Sequence, residues 1–430
     1  MITKEIIEKV KDAANIVDVV SEYITLKKQG IYYVGTCPFH EDHNPSLKIS
    51  PNRGTYHCYA CNSKGDTIRF VQEIERVSFP EAVRRLANKY SISIPSEERT
   101  EEEKKHDRLV SNLYKTNAWV LAFYVDALNR ASDDSAVKQY IRSRGITTDT
   151  LEKFSIGFSP EDTSLMSTAY KQAGLYFNNA KLLGLGYISR EGVVDRYAGR
   201  LVFPWYSTSG KVIGFGGRKL DERTHGVDQK YINSQDSEIY HKNSELYGLY
   251  QAKSAIVKTG KVYLVEGYID VLAMNQAGIE NVVASSGTAI TEQQIKLLSR
   301  YCKNVTLVYD SDNAGLRATL RAIPMFLKSG IATKVLSLPD GEDPDSYIRK
   351  TASNNVQTNF ENYEQNFINF MYSVLVKNIL DPDLRSAGMK EILNTIAVIP
   401  SPITQESYLQ ECSRVTGYSV EAIKDEMRRL

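Results

Sequence analysis

The sequence predicts a multidomain chain of mixed α/β and α+β class. Three observations predict it. The chain has 430 residues, more than the ~250–300 at which a single core stops growing. Its first hundred residues carry two paired metal-ligand knuckles, the pattern of a small ribbon. Beyond Lys253, short apolar runs alternate with helical patterns, which implies a parallel sheet covered by helices.

Composition narrows the class. The hydrophobic share is 42% and the charged share 24%, the balance of a chain that can bury ordinary cores. No apolar run reaches the ~18 residues of a membrane span. Met1-Ile2-Thr3-Lys4-Glu5 opens with an acid and no signal-peptide core. An intracellular, cytoplasmic chain with no membrane partner is expected. The net charge is +1, and residues 260–348 hold 8 Lys+Arg against 10 Asp+Glu. Any surface for nucleic acid must therefore be local.

At the N-terminus, Ile6, Ile7, Val10, Ala14, Val17 and Val20 recur at helical spacing. Tyr23 to Leu26 and Ile31 to Val34 read as short strands around Lys27-Lys28-Gln29-Gly30. Cys37-Pro38-Phe39-His40 and Cys58-Tyr59-Ala60-Cys61 form a C-x2-H…C-x2-C pattern. Such knuckles place four borderline ligands at tetrahedral corners, which suits one structural Zn²⁺. His43 and His57 lie close enough to compete for the fourth position. His40 is preferred, because its spacing from Cys37 mirrors that of Cys58 and Cys61. Aromatics at 32, 33, 39, 56 and 59 interleave with Lys48, Arg53 and Lys64. They read equally as stacking faces for single-stranded nucleic acid or as the ribbon's own core.

Helical patterns follow through Ile68, Phe70, Val71 and Ile74, then Ala82, Val83, Leu86 and Ala87. The stretch from Pro95 to Lys105 is charged and nearly free of apolar residues, a solvated linker or the exposed start of a helix. Helices are expected through Leu113–Leu128 and Val137–Ile141, the second ending at Arg142-Ser143-Arg144-Gly145. From Tyr187 the pattern turns to β. Gly214-Phe215-Gly216-Gly217-Arg218 superficially matches a dinucleotide fingerprint, but no helix pattern opens there. Arg218, Lys230, Tyr231, Asn233 and Lys242 dot a polar stretch. They read as ordinary surface charges or as a basic groove for phosphates, facing the acids described next.

Those acids sit at strand ends. Val262-Tyr263-Leu264-Val265 ends on Glu266-Gly267, with Asp270 one helical turn on. Val305 to Tyr309 ends on Asp310-Ser311-Asp312. A helix near 292–300 opens with Thr291 and Gln294 at capping-box spacing. A last strand, Thr333 to Leu338, leads to Gly341-Glu342-Asp343-Pro344-Asp345. Parallel sheets bind ligands at the carboxyl ends of their strands. So many carboxylates cannot stay ionised together without cations. They call for two or more Mg²⁺ or Mn²⁺ ions, which can clamp both oxygens of a phosphoryl transfer.

Val265-Glu266-Gly267-Tyr268-Ile269-Asp270 with Tyr309-Asp310-Ser311-Asp312-Asn313-Ala314-Gly315 resembles the Toprim domain. Cys37-Pro38-Phe39-His40, Asn44-Pro45-Ser46, Tyr56-His57-Cys58-Tyr59-Ala60-Cys61 and Gly65-Asp66 resemble the zinc domain of DnaG-type DNA primases. Arg142-Ser143-Arg144-Gly145, Phe154-Ser155-Ile156-Gly157, Val212 to Arg218 and Lys230 to Ser234 fill the middle as that family does. The resemblance implies an enzyme that synthesises short RNA primers on single-stranded DNA from ribonucleoside triphosphates, leaving an RNA–DNA hybrid. It implies a zinc-binding domain at 1–95, a charged linker at 96–112, an N-terminal polymerase subdomain at 113–254, a Toprim subdomain at 255–348 and a helical subdomain at 349–430.

Carried over motif by motif, Glu266, Asp310 and Asp312 are the catalytic metal-binding acids, with Asp270, Asp343 and Asp345 assisting. Arg144, Arg218, Lys230, Tyr231, Asn233 and Lys242 face the template or the incoming triphosphate. Cys37, His40, Cys58 and Cys61 hold zinc. The chain departs from the family at Ala198 in Asp195-Arg196-Tyr197-Ala198-Gly199-Arg200, where another polar or basic residue is expected. A replicative helicase is the family's partner, and its usual C-terminal docking domain is expected to be absent here. The rival readings are a Toprim nuclease or topoisomerase-like enzyme, and a non-catalytic Toprim DNA-binding protein.

Overall fold

A computed structural model describes residues 2–430 apart from 41, 43, 76, 95–99, 163–170, 172–176, 189–192, 221–228, 288, 311, 340 and 352–354. The chain divides into two units, Met1–His106 and Asp107–Leu430. Each is described by itself.

In the first unit the expected N-terminal helix is two helices, Lys4–Ala13 and Ile16–Ser21. Asn15 breaks them by capping the second with its side-chain oxygen on the Val17 N–H. Five antiparallel strands follow in sheet order: β1 (Lys27–Gln29), β2 (Tyr32–Gly35), β3 (Leu47–Ser50), β4 (Thr55–Cys58) and β5 (Lys64–Asp66). Lys27-Lys28-Gln29, expected in a turn, is itself a strand, with the turn at Gly30 in the left-handed region. Helices Thr67–Glu75 and Phe79–Lys89 close the unit. Ile6, Val10, Ile68, Val71, Val83 and Leu86 build one core and Ile16, Leu47, Ile49, Tyr56 and Phe70 a second.

The helix Glu101–Arg130 begins in the last residues of the first unit, inside the stretch read as a linker or the exposed start of a helix, and runs on into the second. Its acidic first turn suits a helix N-terminus, so from Glu101 on the stretch is the helix start, the second of the two readings. After helices Ala136–Ser143 and Thr148–Phe154 come β6 (Gly157–Ser159), the hairpin β7 (Gly186–Ile188) and β8 (Val193–Asp195), then β9 (Arg200–Tyr206), β10 (Val212–Lys219) and β11 (Tyr231–Asn233). The sheet order is β11-β10-β9-β6, all antiparallel. Gly214, Gly216 and Gly217 lie within β10, so no phosphate-binding turn forms there. A Cβ on Gly216 would collide with the Tyr268 ring, which explains the glycine.

The second sheet of this unit runs β13 (Val282–Ala284), β12 (Lys261–Val265), β14 (Asn304–Val308), β15 (Ala332–Leu336) and β16 (Glu364–Asn366). The first four are parallel, as the alternating pattern predicted, and β16 adds an antiparallel edge. The Glu364-Gln365-Asn366 strand has no apolar pattern to announce it. Strand alternation divides the core. Val262, Leu264, Val305 and Leu307 face a cluster with Phe367, Met371, Ile392 and Ile396 of the C-terminal helices. Tyr263, Val265 and Val308 face a cluster shared with Leu201, Phe203 and Trp205 of β9. The C-terminal helices run Phe367–Leu375, Pro382–Ala397, Pro402–Thr416 and Val420–Arg429. Among the described residues, no helix is long and apolar enough to cross a membrane.

One glycine fixes the loop after β14. Gly315, in the first turn of the helix Asn313–Lys328, leaves no room for a Cβ against the Asp310 carbonyl oxygen. Gly315→Ala would regain about 1 kcal/mol of helix propensity but overpack against backbone. We expect a net loss of about 1–2 kcal/mol, read as a lower urea midpoint. An unchanged midpoint would show that the loop yields freely.

Candidate active site and metal centre

In the first unit, Cys37, His40, Cys58 and Cys61 come together, with ligand atoms all within 4.8 Å of one another. Two sulfurs on one zinc, at Zn–S bonds of about 2.3 Å, stand about 3.8 Å apart. The Cys37 and Cys61 sulfurs are 3.8 Å apart. His40 Nδ1 is buried without a hydrogen-bond partner, while its Nε2 lies 3.6 Å from Asp42. A free buried nitrogen among three thiols is a metal ligand in waiting, and Asp42 orients the ring from behind. Asp42 is itself held by the Cys37 N–H at 2.6 Å and the Ser46 hydroxyl at 2.7 Å.

The thiols are poised unequally. Burial pushes the Cys37 thiol up to about 12. Burial also opposes ionisation of Cys58, but the Cys61 amide and the Ser46 hydroxyl outweigh it and bring that thiol down to about 6. A divalent ion's charge is what would draw the Cys37 proton off. His57 does not join the group. Its ring hydrogen-bonds to Asn62 at 2.9 Å and packs on Tyr59 at 4.5 Å. His43 lies outside the described residues.

The aromatics divide. Phe39 and Tyr56 pack with Phe70 in the ribbon core. Tyr32 and Tyr59 instead line a groove of about 430 Å³ with Lys48, Arg53, His57 and Lys64. Lys48 Nζ sits 4.0 Å over the Tyr32 ring, and Tyr59 is 69% exposed.

In the second unit, the pairing of Val265 with Val308 sets the ends of β12 and β14 side by side. Glu266 and Asp310 follow at once, and the Asp310 N–H donates to Glu266 Oε1 at 3.3 Å. Asp270 accepts the Gly267 N–H at 3.1 Å. Asp343 caps the helix Pro344–Lys350 through the Ser346 N–H at 2.6 Å. These four, with Asp345, line one cleft of about 570 Å³. Burial first and then Asp310 raise Glu266 above the usual carboxylate range. Burial, Asp343 and Asp310 raise Asp270 well above it. Burial, Asp343 and Asp312 raise Asp310. Acids that hold one another's protons this way are a donor set for a hard cation. Among the described residues, only the cysteine–histidine group has three or more donors converged as tightly as a bound ion needs.

Asp312 is placed differently. It is exposed, does not line the cleft, and accepts the Ala314 and Gly315 N–H groups at 2.9 and 2.7 Å as the cap of the following helix. Asp345 is 3% exposed at its side chain and ion-paired to Arg144 at 2.5 Å and Arg349 at 3.2 Å.

The other wall is basic. Arg144, Lys230, Tyr231, Asn233 and Lys242 all line the cleft. Arg218 does not, but its Nε donates to the Tyr231 hydroxyl at 3.1 Å. Burial draws the Lys242 ammonium below the usual lysine range. Asn233 is pinned between the Tyr268 hydroxyl and the Ser286 carbonyl. Sequence reasoning missed Arg196, which lines the cleft with a buried Nη1 that has no hydrogen-bond partner. Its neighbour Ala198 is buried and supplies no contact, while Arg200 turns inward to the Gln229 carbonyl at 2.9 Å. The turn over residues 196–199, with Gly199 in the left-handed region, separates these two arginines.

Comparison with known proteins agrees with this geometry. Family models match as CHC2 zinc finger over residues 2–102, DNA primase catalytic core N-terminal domain over 123–253 and Toprim-like over 263–348. The DNA primase of Halalkalibacterium halodurans is 33% identical, aligning with 100% of this chain and 71% of the relative. That of Clostridium acetobutylicum is 35% identical, over 99% and 70%. The crystal structure of the Aquifex aeolicus primase zinc-binding and RNA polymerase domains is 31% identical, with TM-score 0.63 over 97% of this chain and 98% of that one. The Escherichia coli primase catalytic core is 32% identical, with TM-score 0.61 over 71% and 98%.

One expectation is corrected. Residues 369–421 match the DnaB-helicase binding domain of primase, so a helicase-docking part is present and not absent. The sequence marks 349–430 only as a helical subdomain, and helical periodicity carries no label of partner. With the zinc ribbon, the catalytic core and the Toprim sheet matched in this order across its length, the chain belongs to the DNA primase family, nucleotidyltransferases that lay short RNA primers on DNA.

Proposed function

We propose that the cleft of the second unit is the polymerising centre, and that its acids take two or more Mg²⁺ or Mn²⁺ ions. One observation carries the reading: raised carboxylates and unspent cations face each other across a single cavity. Glu266, Asp270, Asp310 and Asp343 would hold the ions, with Asp312 at the mouth as a further ligand once its cap is shared. Bound there, such ions would supply charge neutralisation on phosphate oxygens and favour the ionised 3′-hydroxyl. Lys230, Lys242 and Arg196 meet the triphosphate oxygens, and Tyr231 offers a face for a base. The 3′-oxygen of one ribonucleotide forms a bond to the α-phosphorus of the next. The bond to pyrophosphate breaks, and the hydroxyl proton leaves to solvent. None of the acids need act as a covalent nucleophile.

The groove of the zinc-binding unit fits single-stranded DNA, with stacking faces at Tyr32 and Tyr59 beside Lys48, Arg53 and Lys64. Zinc held by Cys37, His40, Cys58 and Cys61 would be structural, since all four positions are protein ligands. The helices within 369–421 are the docking part for a replicative helicase, and the work is cytoplasmic, at the nucleoid. The boundaries near 95, 112, 254 and 348 divide these roles.

Three measurements test this. On single-stranded DNA with labelled ribonucleotides, short RNA products are expected, and Asp310→Asn should reduce them about a hundredfold or more. Cut or relaxed DNA instead of RNA would make the chain a Toprim nuclease or topoisomerase.

Cys58→Ala should lose priming while Mg²⁺ still raises the melting temperature of the second unit's transition. Normal priming by that variant would remove the zinc unit from template handling.

The third concerns pH. Glu266, Asp270 and Asp310 are raised in the folded state. Such groups favour folding while protonated, and that stability is lost as pH climbs from the ordinary carboxylate range through their raised values. A bound cation removes the penalty. The Mg²⁺-induced gain in melting temperature is therefore expected to be larger at about pH 8 than at about pH 5. Equal gains would exclude these acids as ligands.

A further inference from the structure

Asp345 stands apart from the acids it was grouped with. Its side chain is only 3% exposed, and both oxygens are taken. Oδ2 lies 2.5 Å from Arg144 Nη1 and Oδ1 3.2 Å from Arg349 Nε. A carboxylate neutralised by two guanidinium groups has little charge left for a divalent ion. Among the described residues, Glu266, Asp270 and Asp310 have no such guanidinium partner, whereas Asp345, though near Asp270, is paired with two.

Arg144 has the opposite character. It is the C-cap of the helix Ala136–Ser143, followed by Gly145 in the left-handed region, so its backbone is fixed at a turn. Its side chain keeps 28% exposure and lines the cleft. Its guanidinium lies 5.5 Å from the Tyr140 ring centre. The same ring carries Arg218 at 4.0 Å, and Arg218 reaches the Tyr231 hydroxyl. Asp345, Arg144, Tyr140, Arg218 and Tyr231 thus form one run of fixed contacts. It leads from the helix Pro344–Lys350 to the basic wall.

We infer that Asp345 is a positioning residue that aims the Arg144 fork at a phosphate group in the cleft, and is not a metal ligand. The inference rests on the reading of the cleft as the polymerising centre. A planar fork held on one side by a carboxylate presents its remaining N–H groups in a fixed direction, which suits a phosphate of the incoming triphosphate or of the template backbone. Removing Asp345 frees a long side chain to wander, so the loss falls on phosphate binding and not on the metals.

The test uses the full zinc-loaded chain and the variants Asp345→Asn, Arg144→Gln and the double. Asp345→Asn and Arg144→Gln are each expected to cost about tenfold in ribonucleotide KM or in single-stranded DNA affinity. A loss in the first marks the triphosphate as the target, and a loss in the second marks the template. The double variant should be within about twofold of Arg144→Gln alone, because Asp345 acts through Arg144. Mn²⁺ affinity, read by electron paramagnetic resonance, should stay within about twofold of the parent in all three. Asp310→Asn is the control that loses it. Arg144→Gln leaves Asp345 its pairing with Arg349, so it carries the binding and metal arms even where Asp345→Asn fails to fold. The inference is overturned if Asp345→Asn loses Mn²⁺ as Asp310→Asn does, if the two losses multiply, or if Arg144→Gln leaves both phosphate readouts unchanged. Undiminished Mn²⁺ affinity in Asp310→Asn would overturn the reading of the cleft itself.

Discussion

Repulsion among carboxylates is the constraint that the second unit is built to contain. Glu266 and Asp310 are neighbours because the parallel register of Val265 and Val308 makes them so. The Asp310 N–H gives Glu266 one hydrogen bond, but burial and neighbouring acids raise both, Glu266 through Asp310 and Asp310 through Asp343 and Asp312. The apolar faces of β12 and β14 supply the opposing force. Val262, Leu264, Val305 and Leu307 are buried on one side, and Tyr263, Val265 and Val308 on the other. Fully burying one such side chain is worth about 1.5–3 kcal/mol, so the strands can carry a tip that by itself would spread. The sheet is rigid where the site is unfavourable.

Much of this was legible in the residues. Two apolar strands ending on acids, one at Glu266-Gly267 and one at Asp310-Ser311-Asp312, marked the acid tips. Thr291 and Gln294 form the capping box their spacing implied. The two knuckles marked the four side chains that converge, and spacing alone favoured His40 over His57 as the fourth. What stayed hidden depends on direction, which a sequence does not carry. Tyr56 and Tyr59 are three residues apart and both border the groove, yet Tyr56 is buried in the ribbon core and Tyr59 is open to solvent. Arg196 and Arg200 differ in the same way. Asp312 sits two residues from Asp310, and extended geometry would aim them alike. The chain enters a helix there instead, and Asp312 turns to cap it.

The helicase-docking match carries a related lesson. Residues 369–421 read as plain helices, and their apolar positions are spent on the core shared with Leu264 and Leu307. A partner surface made of what is left over has no period of its own. Asp345 carries the converse lesson. Its motif places it among acids, but its partners Arg144 and Arg349 come from a helix two hundred residues earlier and from one turn later. Charge type was readable, and charge pairing was not.

How the two walls of the cleft stay in register is answered by Tyr268, two residues after Glu266. Its hydroxyl accepts the Trp205 indole N–H at 3.0 Å and donates to Asn233. Its ring stacks on Phe203 at 4.7 Å and packs edge-on against Tyr247 at 4.6 Å. Gly216 exists as glycine because this ring occupies the space of a side chain. The residue therefore ties β9, β10 and β11, the sheet beside the basic wall, to the same turn that presents the first acid. A shift of the acids along β12 would carry Tyr268 with it, and Asn233 through its hydrogen bond. Acid and cation walls are thus set by one buried aromatic contact, and the distance between them is fixed by packing before any substrate enters.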